Sequence, residues 1–344
     1  MDDLIDFVVI WVDGSDLDWQ KEKNKYIGAP NSKLDNTINR YREWDNLRYW
    51  FRGVEKFAPW VNKVHFVTCG QMPTWLNLKC PKLNFVKHSD YMPKTFLPTF
   101  SSHSIELNLN KIQELSQKFV YFNDDMFLTA PVEKEIFFKG DKPIHPSFLH
   151  AIVPAAGNSN EVMSHIYINM VSMINKHFNS VECIANNKKE WLNPIKNGIK
   201  PTIMTLFNSK HNAFVGFSCE HLPVPMLKST MEVVWEKEYD TLYATSMRKF
   251  RDSRDISQYI FRYWDIASGN FESINPKKLG RYFELNLSTK NNNEIISAIK
   301  TSKYKMICLN DIIEQCSENN FLLLRDRINS AFDCILPEKS SFEL

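Results

Sequence analysis

An α/β fold, with a mainly parallel, Rossmann-like sheet and a more helical inserted subdomain, is what this sequence predicts. Three observations lead there. Up to residue 128, strand-like segments alternate with helical patterns, the order that builds a parallel sheet. The strand-like segments are apolar on both faces, as strands in the middle of such a sheet must be. Three of them run into acidic or amide-rich ends: Asp13-Gly14-Ser15-Asp16, Asn123-Asp124-Asp125 and Asn310-Asp311. In open α/β sheets, ligands bind off the carboxyl ends of strands.

Residues 5–12 (Ile-Asp-Phe-Val-Val-Ile-Trp-Val) form the first buried strand. Gly14 then permits a tight turn, where backbone amides can approach a nucleotide. Residues 20–40, with Gly28, Pro30 and several Asn, read as a loop or lid. From Tyr41, the residues Trp44, Leu47, Phe51 and Val54 recur at helical spacing until Pro59 stops them. Strands follow at 64–68 and 83–86. Hydroxyls at 99–102 offer N-caps for an amphipathic helix carrying Ile105, Leu109, Ile112, Leu115 and Phe119, which delivers the chain to the strand before Asn123.

Pro131, Pro143, Pro146 and Pro154 break the next stretch, where helices are expected over 162–178 and 180–192. Glu220 to Pro225 make a rigid approach to a helix from Met226 to about Tyr239. Residues 249–255 open an aromatic helix with Ile256, Tyr259, Ile260, Tyr263 and Trp264. Asn291-Asn292-Asn293 reads as a polar turn, 304–309 as a last strand and 321–332 as a helix. The expected division is a Rossmann-like core over 1–140, a variable helical insertion over 141–215, and a part over 216–344 that completes the domain.

With 344 residues, 43% of them hydrophobic, the chain can bury a substantial core. A net charge of +2 gives no field that would draw it to nucleic acid. The seven Cys contain no C-x-x-C pair, which argues against a disulfide framework or Cys-rich zinc site and fits a reducing compartment. The start, Met-Asp-Asp-Leu-Ile-Asp, is acidic and has no signal-peptide pattern. No apolar run approaches the roughly 18–20 residues that span a bilayer. A cytoplasmic protein is expected, with peripheral contact at the inner face of the plasma membrane left open.

Asp124 and Asp125 at a strand end suit a divalent cation that holds a diphosphate, because unpaired buried charge is expensive. A polar turn or an N-cap is the competing meaning, about equal on this segment alone. Three such ends in one chain favour a shared crevice. The donor types fit magnesium better than zinc, which would want more His or Cys. His221, between Glu220 and a Pro-rich turn, suits a general base, or it packs locally at a helix entry. His103 and Ser101 to Ser104 either bind phosphate at a helix start or merely cap it. Arg251 and Arg254 beside Asp252 and Asp255 form a surface ion cluster or a phosphate fork. Arg42, Arg48 and Arg52 pose the same choice. No phosphate-binding glycine motif and no nucleophile elbow is present.

These residues resemble the Stealth family. Ile5 to Asp16 is similar to its first block. Arg40-Tyr41-Arg42-Glu43-Trp44-Asp45-Asn46-Leu47-Arg48-Tyr49 opens what looks like the second, which continues through Ala58-Pro59-Trp60-Val61, Val67 to Gln71, Leu97 to Ser102 and Asn123-Asp124-Asp125. Glu220-His221-Leu222-Pro223 through Arg251-Asp252-Ser253 and Asp255 resembles the third. Cys308-Leu309-Asn310-Asp311 resembles the fourth. Residues 130–215 and 270–300 match no block.

The resemblance implies a GT-A-like core that binds a nucleotide sugar, and sugar-1-phosphate transfer, as in bacterial capsule and exopolysaccharide polymerases and the catalytic part of the animal transferase that tags lysosomal enzymes. A UDP-sugar donor, often UDP-N-acetylglucosamine or its epimer, is attacked at the β-phosphorus by a hydroxyl of a saccharide or polysaccharide acceptor. UMP leaves and a phosphodiester forms. Mg²⁺ (or Mn²⁺) is then expected at Asp124 and Asp125, with Asn123 and Asp311 orienting the metal or acceptor. Asp13 and Gly14 would lie against the nucleotide, with Arg48, Ser101, Ser102, His103 and Asn310 also on the substrate side. Arg251 would neutralise the transferring phosphoryl group, and His221 would be the base. The rivals are a glycosyltransferase releasing UDP and a non-catalytic carbohydrate-binding protein.

Overall fold

The computed structural model describes residues 3–27, 42–154, 162–313 and 315–344. Its strands are β1 (Ile5–Ile10), β2 (Val64–Thr68), β3 (Leu83–Lys87), β4 (Lys118–Asn123), β5 (Met126–Leu128), β6 (Phe138–Lys139), β7 (Lys142–His145), β8 (Val224–Leu227), β9 (Glu272–Ser273), β10 (Arg281–Leu285) and β11 (Met306–Asp311). The main sheet has the order β3-β2-β1-β4-β8. Its first four strands are parallel, and β8 joins β4 antiparallel.

From β1 the chain lays β2 and β3 outward on one side, then returns to place β4 on the other. The strand order therefore reverses between β1 and β4, the switch point at which open α/β sheets leave a ligand crevice. Ile10 pairs with Asn123 across it. Both acidic loops expected at one edge leave from these two strand ends.

Alternation along the strands sorts their side chains into two cores. Phe7, Val9, Phe66 and Phe122 pack with the helix Leu47–Phe57, the second sheet and the long helix Glu318–Ile335. Val8, Ile10, Val67, Phe119 and Tyr121 pack with the helices Met163–His177 and Tyr259–Ser268. Between Met163 and Asn208 the described chain is almost wholly helical. None of the described helices is long and apolar enough to cross a membrane.

Only Asp124 and Asp125 separate β4 from β5, and there the chain changes sheets. β5 pairs antiparallel with β11, Cys308 opposite Met126, and the Leu309 N–H donates to the Asp125 carbonyl at 2.8 Å. The third acidic end, Asn310-Asp311, thus belongs to a second sheet, β10-β11-β5, yet arrives at the same turn.

Several local expectations are corrected. Residues 20–26 of the expected loop belong to a helix, Leu17–Tyr26, which the Asp16 carboxylate caps by accepting the Asp18 and Trp19 N–H groups. Residues 28–40 of that loop or lid lie outside the described residues. The helix expected from Tyr41 starts at Leu47, since Asp45 has φ 51°, a left-handed conformation that a right-handed helix cannot contain. The long helix over 101–119 is a short one, Ser102–Glu106, followed by a 3₁₀ turn at Leu109–Lys111. Asn108 ends it by donating to the Ser104 carbonyl at 2.8 Å, a side-chain bond that competes with the helix. Met226 lies in β8, not in a helix; Pro225 is tolerated there because the strand is at a sheet edge. Asn291 to Asn293 sit inside the helix Thr289–Lys300, whose Ile295 and Ile299 are buried.

Gly280 leads into β10 with no room for a side chain: a Cβ there would lie 2.2 Å from the Met306 carbonyl oxygen. Gly280→Ala is expected to destabilise the protein by about 1–3 kcal/mol, the usual cost of forced overpacking. Denaturant unfolding measures it, and an unchanged midpoint would contradict this packing.

Candidate active site

Where β1, β4 and β11 end, a cavity of about 1080 Å³ opens. Trp11 follows β1 on its wall, Asn123, Asp124 and Asp125 close β4, and Asn310 and Asp311 close β11. His221, Arg251 and Ser102 complete it from the remaining loops and the start of the Ser102–Glu106 helix. Eight of the residues singled out in the sequence therefore share one cavity.

His221 is held from both ring nitrogens. Nδ1 lies 2.9 Å from the Tyr259 hydroxyl. Nε2 lies 3.3 Å from Asn123 Nδ2 and 3.7 Å from Asp125 Oδ2. Protonated, the ring turns an Nε2–H toward Asp125; neutral, with its proton on Nδ1 toward Tyr259, it presents the Nε2 lone pair as the basic site. Asn123 is itself fixed, its Oδ1 2.5 Å from the Tyr121 hydroxyl, which also lies 3.0 Å from Glu106 Oε1.

The carboxylates are crowded. Burial, then the charges of Asp125 and Glu43, push the Asp124 carboxyl up to about 8. Burial also pushes Asp125 upward, but hydrogen bonds and charge from His221 and a bond from the Cys308 thiol (3.3 Å) outweigh it and leave it lowered. Burial raises Glu43 as well, against bonds from Asp45 and Trp11. Asp125 Oδ1 is buried with no hydrogen-bond partner among the described residues. An orphaned carboxylate oxygen beside a strongly raised carboxyl is a donor set short of positive charge. The carboxylate oxygens of Asp124 and Asp125 fit Mg²⁺ or Mn²⁺, whereas Asp125, His221 and Cys308, with ligand atoms all within 4.8 Å of one another, supply the His and Cys that zinc would want and that the sequence did not suggest.

Asp311 is differently employed. Its Oδ2 accepts from Arg42 (2.9 Å) and Trp44 (3.2 Å), and its Oδ1 accepts from the Ile313 N–H (2.8 Å). It enters the cavity as the anchor of Arg42. Arg251 donates to the Ser102 hydroxyl at 2.8 Å, so two expected substrate residues meet.

Five expected residues do not line the cavity. Asp13 and Gly14 form a pinned turn beside it: Asp13 Oδ1 accepts from the Ser15 N–H, Gln71 bonds both faces of the Asp13 backbone, and Gln20 donates to the Gly14 carbonyl. Arg48 is exposed and lies over Trp75, 5.5 Å from its ring centre. Ser101 is buried and makes no cap bond. His103 is buried with Nδ1 3.3 Å from Asp255, which also takes Arg248 at 2.8 Å. These two are structural parts of the wall's backing.

Sequence reasoning missed Glu43, Tyr121, Glu106, Tyr259 and Cys308. Their roles come from tertiary contacts; Glu43 and Cys308 carried a nearby signal, as members of the second and fourth blocks.

The chain matches the family models described as Stealth protein CR1, conserved region 1, over residues 5–29 and Stealth protein CR2, conserved region 2, over residues 40–145. It is 41% identical over 342 residues to the receptor polysaccharide phosphotransferase WefC of Streptococcus gordonii, covering 99% of each chain. It is 40% identical to the capsular polysaccharide phosphotransferase WcwK of Streptococcus pneumoniae, again over 99% of each. The exopolysaccharide phosphotransferase cps2G of Lactiplantibacillus plantarum is 35% identical, over 98% of this chain and 96% of that one.

Proposed function

This chain belongs to the Stealth family, its full-length relatives are named polysaccharide phosphotransferases, and from that premise we propose that it transfers a sugar 1-phosphate from a UDP-sugar to a saccharide hydroxyl in capsule or exopolysaccharide synthesis. The observation that carries the proposal is the meeting of Asp124 and Asp125 with His221 and Arg251 in one cavity at the sheet's switch point. The β3-β2-β1-β4 order with an antiparallel edge strand supports a GT-A-like core.

His221 Nε2 takes the proton of the acceptor hydroxyl. The freed oxygen attacks the β-phosphorus, the bond from that phosphorus to the bridging oxygen breaks, and UMP departs. Tyr259 and Asn123 hold the imidazole in the orientation this needs. Asp124 and Asp125 would hold Mg²⁺ (or Mn²⁺), which when bound neutralises diphosphate charge. Arg251, fixed by Ser102, meets the charge on the transferring group, and Asp311 keeps Arg42 at the cavity wall. Asn310 faces the donor from the cavity wall, while the Asp13-Gly14 turn, Ser101, His103 and Arg48 stand outside the lining and act through it.

Arg251→Ala is expected to lower the rate of nucleotide release about 10²–10³-fold, the usual cost of one preorganised donor. Arg251→Lys should recover little of it, since an ammonium cannot serve Ser102 and a phosphoryl oxygen as a fork does. A fully active Arg251→Ala enzyme would remove this role.

The deciding experiment is identification of the nucleotide released from a UDP-sugar donor with a saccharide acceptor. UMP is the expected product. UDP would mean cleavage of the sugar C1–O bond and a glycosyltransferase, and binding without release would mean a carbohydrate-binding protein.

A further inference from the structure

The helix Ile199–Asn208 turns its polar face inward. Thr202 and Thr205 are only 8% and 0% exposed. Their hydroxyls donate to the Gly198 and Pro201 carbonyls at 2.9 and 3.0 Å, and Thr205 Oγ1 accepts the Leu149 N–H at 3.2 Å. Its large apolar side chains point the other way. Ile199, Ile203, Leu206 and Phe207 are 72%, 46%, 50% and 71% exposed. Their spacing places them on one stripe. Ile195, on the preceding short helix Pro194–Asn197, adds a further exposed apolar side chain at 87%. Five large apolar side chains gathered in water mark an interaction surface.

The charges around the stripe identify the partner. Lys188, Lys189, Lys200 and Lys210 are exposed. The one acid between residues 186 and 213, Glu190, is occupied by Lys196 at 2.7 Å and by the Ser273 N–H at 2.7 Å. This is an apolar helix face accompanied by lysines that form no ion pair among the described residues, on a chain whose net charge is only +2.

We propose that this face docks on an anionic lipid bilayer, the stripe entering the boundary between headgroups and acyl chains and the lysines meeting lipid phosphates. A second copy fits less well: in a two-fold contact the same patch meets itself, lysines against lysines with no acid between them. The proposal does not depend on the reaction assigned above, because none of these residues lines the cavity.

Vesicle sedimentation tests it. The full chain is expected to bind vesicles of phosphatidylglycerol and phosphatidylcholine, and to bind pure phosphatidylcholine at least tenfold more weakly. Each lysine near an anionic surface is worth about fivefold in partition. Lys200→Glu with Lys210→Glu should therefore lower binding more than about tenfold, and Ile203→Glu with Phe207→Glu should abolish it. Both variants should keep the wild-type circular dichroism spectrum and thermal unfolding midpoint, which shows that they fold. Equal binding to both vesicle types, or no loss in the variants, overturns the proposal. So does wild-type self-association that Phe207→Glu breaks while vesicles go unbound.

Discussion

Replacing His221 with alanine is expected to lower turnover about 10²–10⁴-fold, the contribution of a positioned general base, while leaving the fold intact. The side chain is 33% exposed, so its removal opens no core cavity. Its two ring nitrogens are employed differently: Nδ1 is tied to Tyr259, and Nε2 looks across the cavity at Asn123 and Asp125. If the base is His221, Tyr259→Phe should cost less than His221→Ala, because it frees the ring without deleting it. Nucleotide release under saturating donor, with circular dichroism for the fold, measures both. Near-normal turnover in His221→Ala would eliminate the assignment.

Asp124→Asn is expected to abolish most activity, about 10³-fold or more, and to make the protein more heat-stable when no divalent cation is present. The first effect follows from losing a cation ligand whose charge stabilisation is worth several kcal/mol. The second follows from linkage. Burial beside Asp125 and Glu43 raises the Asp124 carboxyl from 3.8 to about 8. The folded state thus binds more protons than the unfolded state between those values, and stability falls as pH rises through that window before levelling off. Asparagine removes that slope. Thermal unfolding from pH 5 to 8, with and without Mg²⁺, measures it. Wild type should gain stability from Mg²⁺ most at the upper end, and Asp124→Asn should gain little. Equal responses would refute the cation site.

The sequence signals that held are local ones. Apolar residues on both strand faces mark β1, β2 and β4, and the acids after β1 and β4 mark the switch point without reference to any distant residue. Where the signal was weak or masked, the reading failed. The helix Leu17–Tyr26 buries a single residue, Trp19, so it has no apolar stripe and is defined by its Asp16 cap. Pro225 disguised β8. In β10 only Phe283 and Leu285 are buried, and a strand with three exposed positions does not stand out. The supports of the site are further still from local pattern. Tyr259 is 38 positions from His221, Cys308 is 183 from Asp125, and Arg42 is 269 from Asp311. Only the folded chain brings them together.

The passage of the chain from β4 into β5 through Asp124 and Asp125 has a consequence for dissecting the protein. β5 is an N-terminal strand, but its partner is the C-terminal β11. A fragment cut after β5 would carry that strand with an unpaired edge, and the complementary fragment would carry β11 open where β5 belongs. Neither piece could assemble half a cavity by itself. Reunited in trans, the two fragments would regain their edge pairing and the carboxylate turn in the same event, so restored activity would report strand exchange directly.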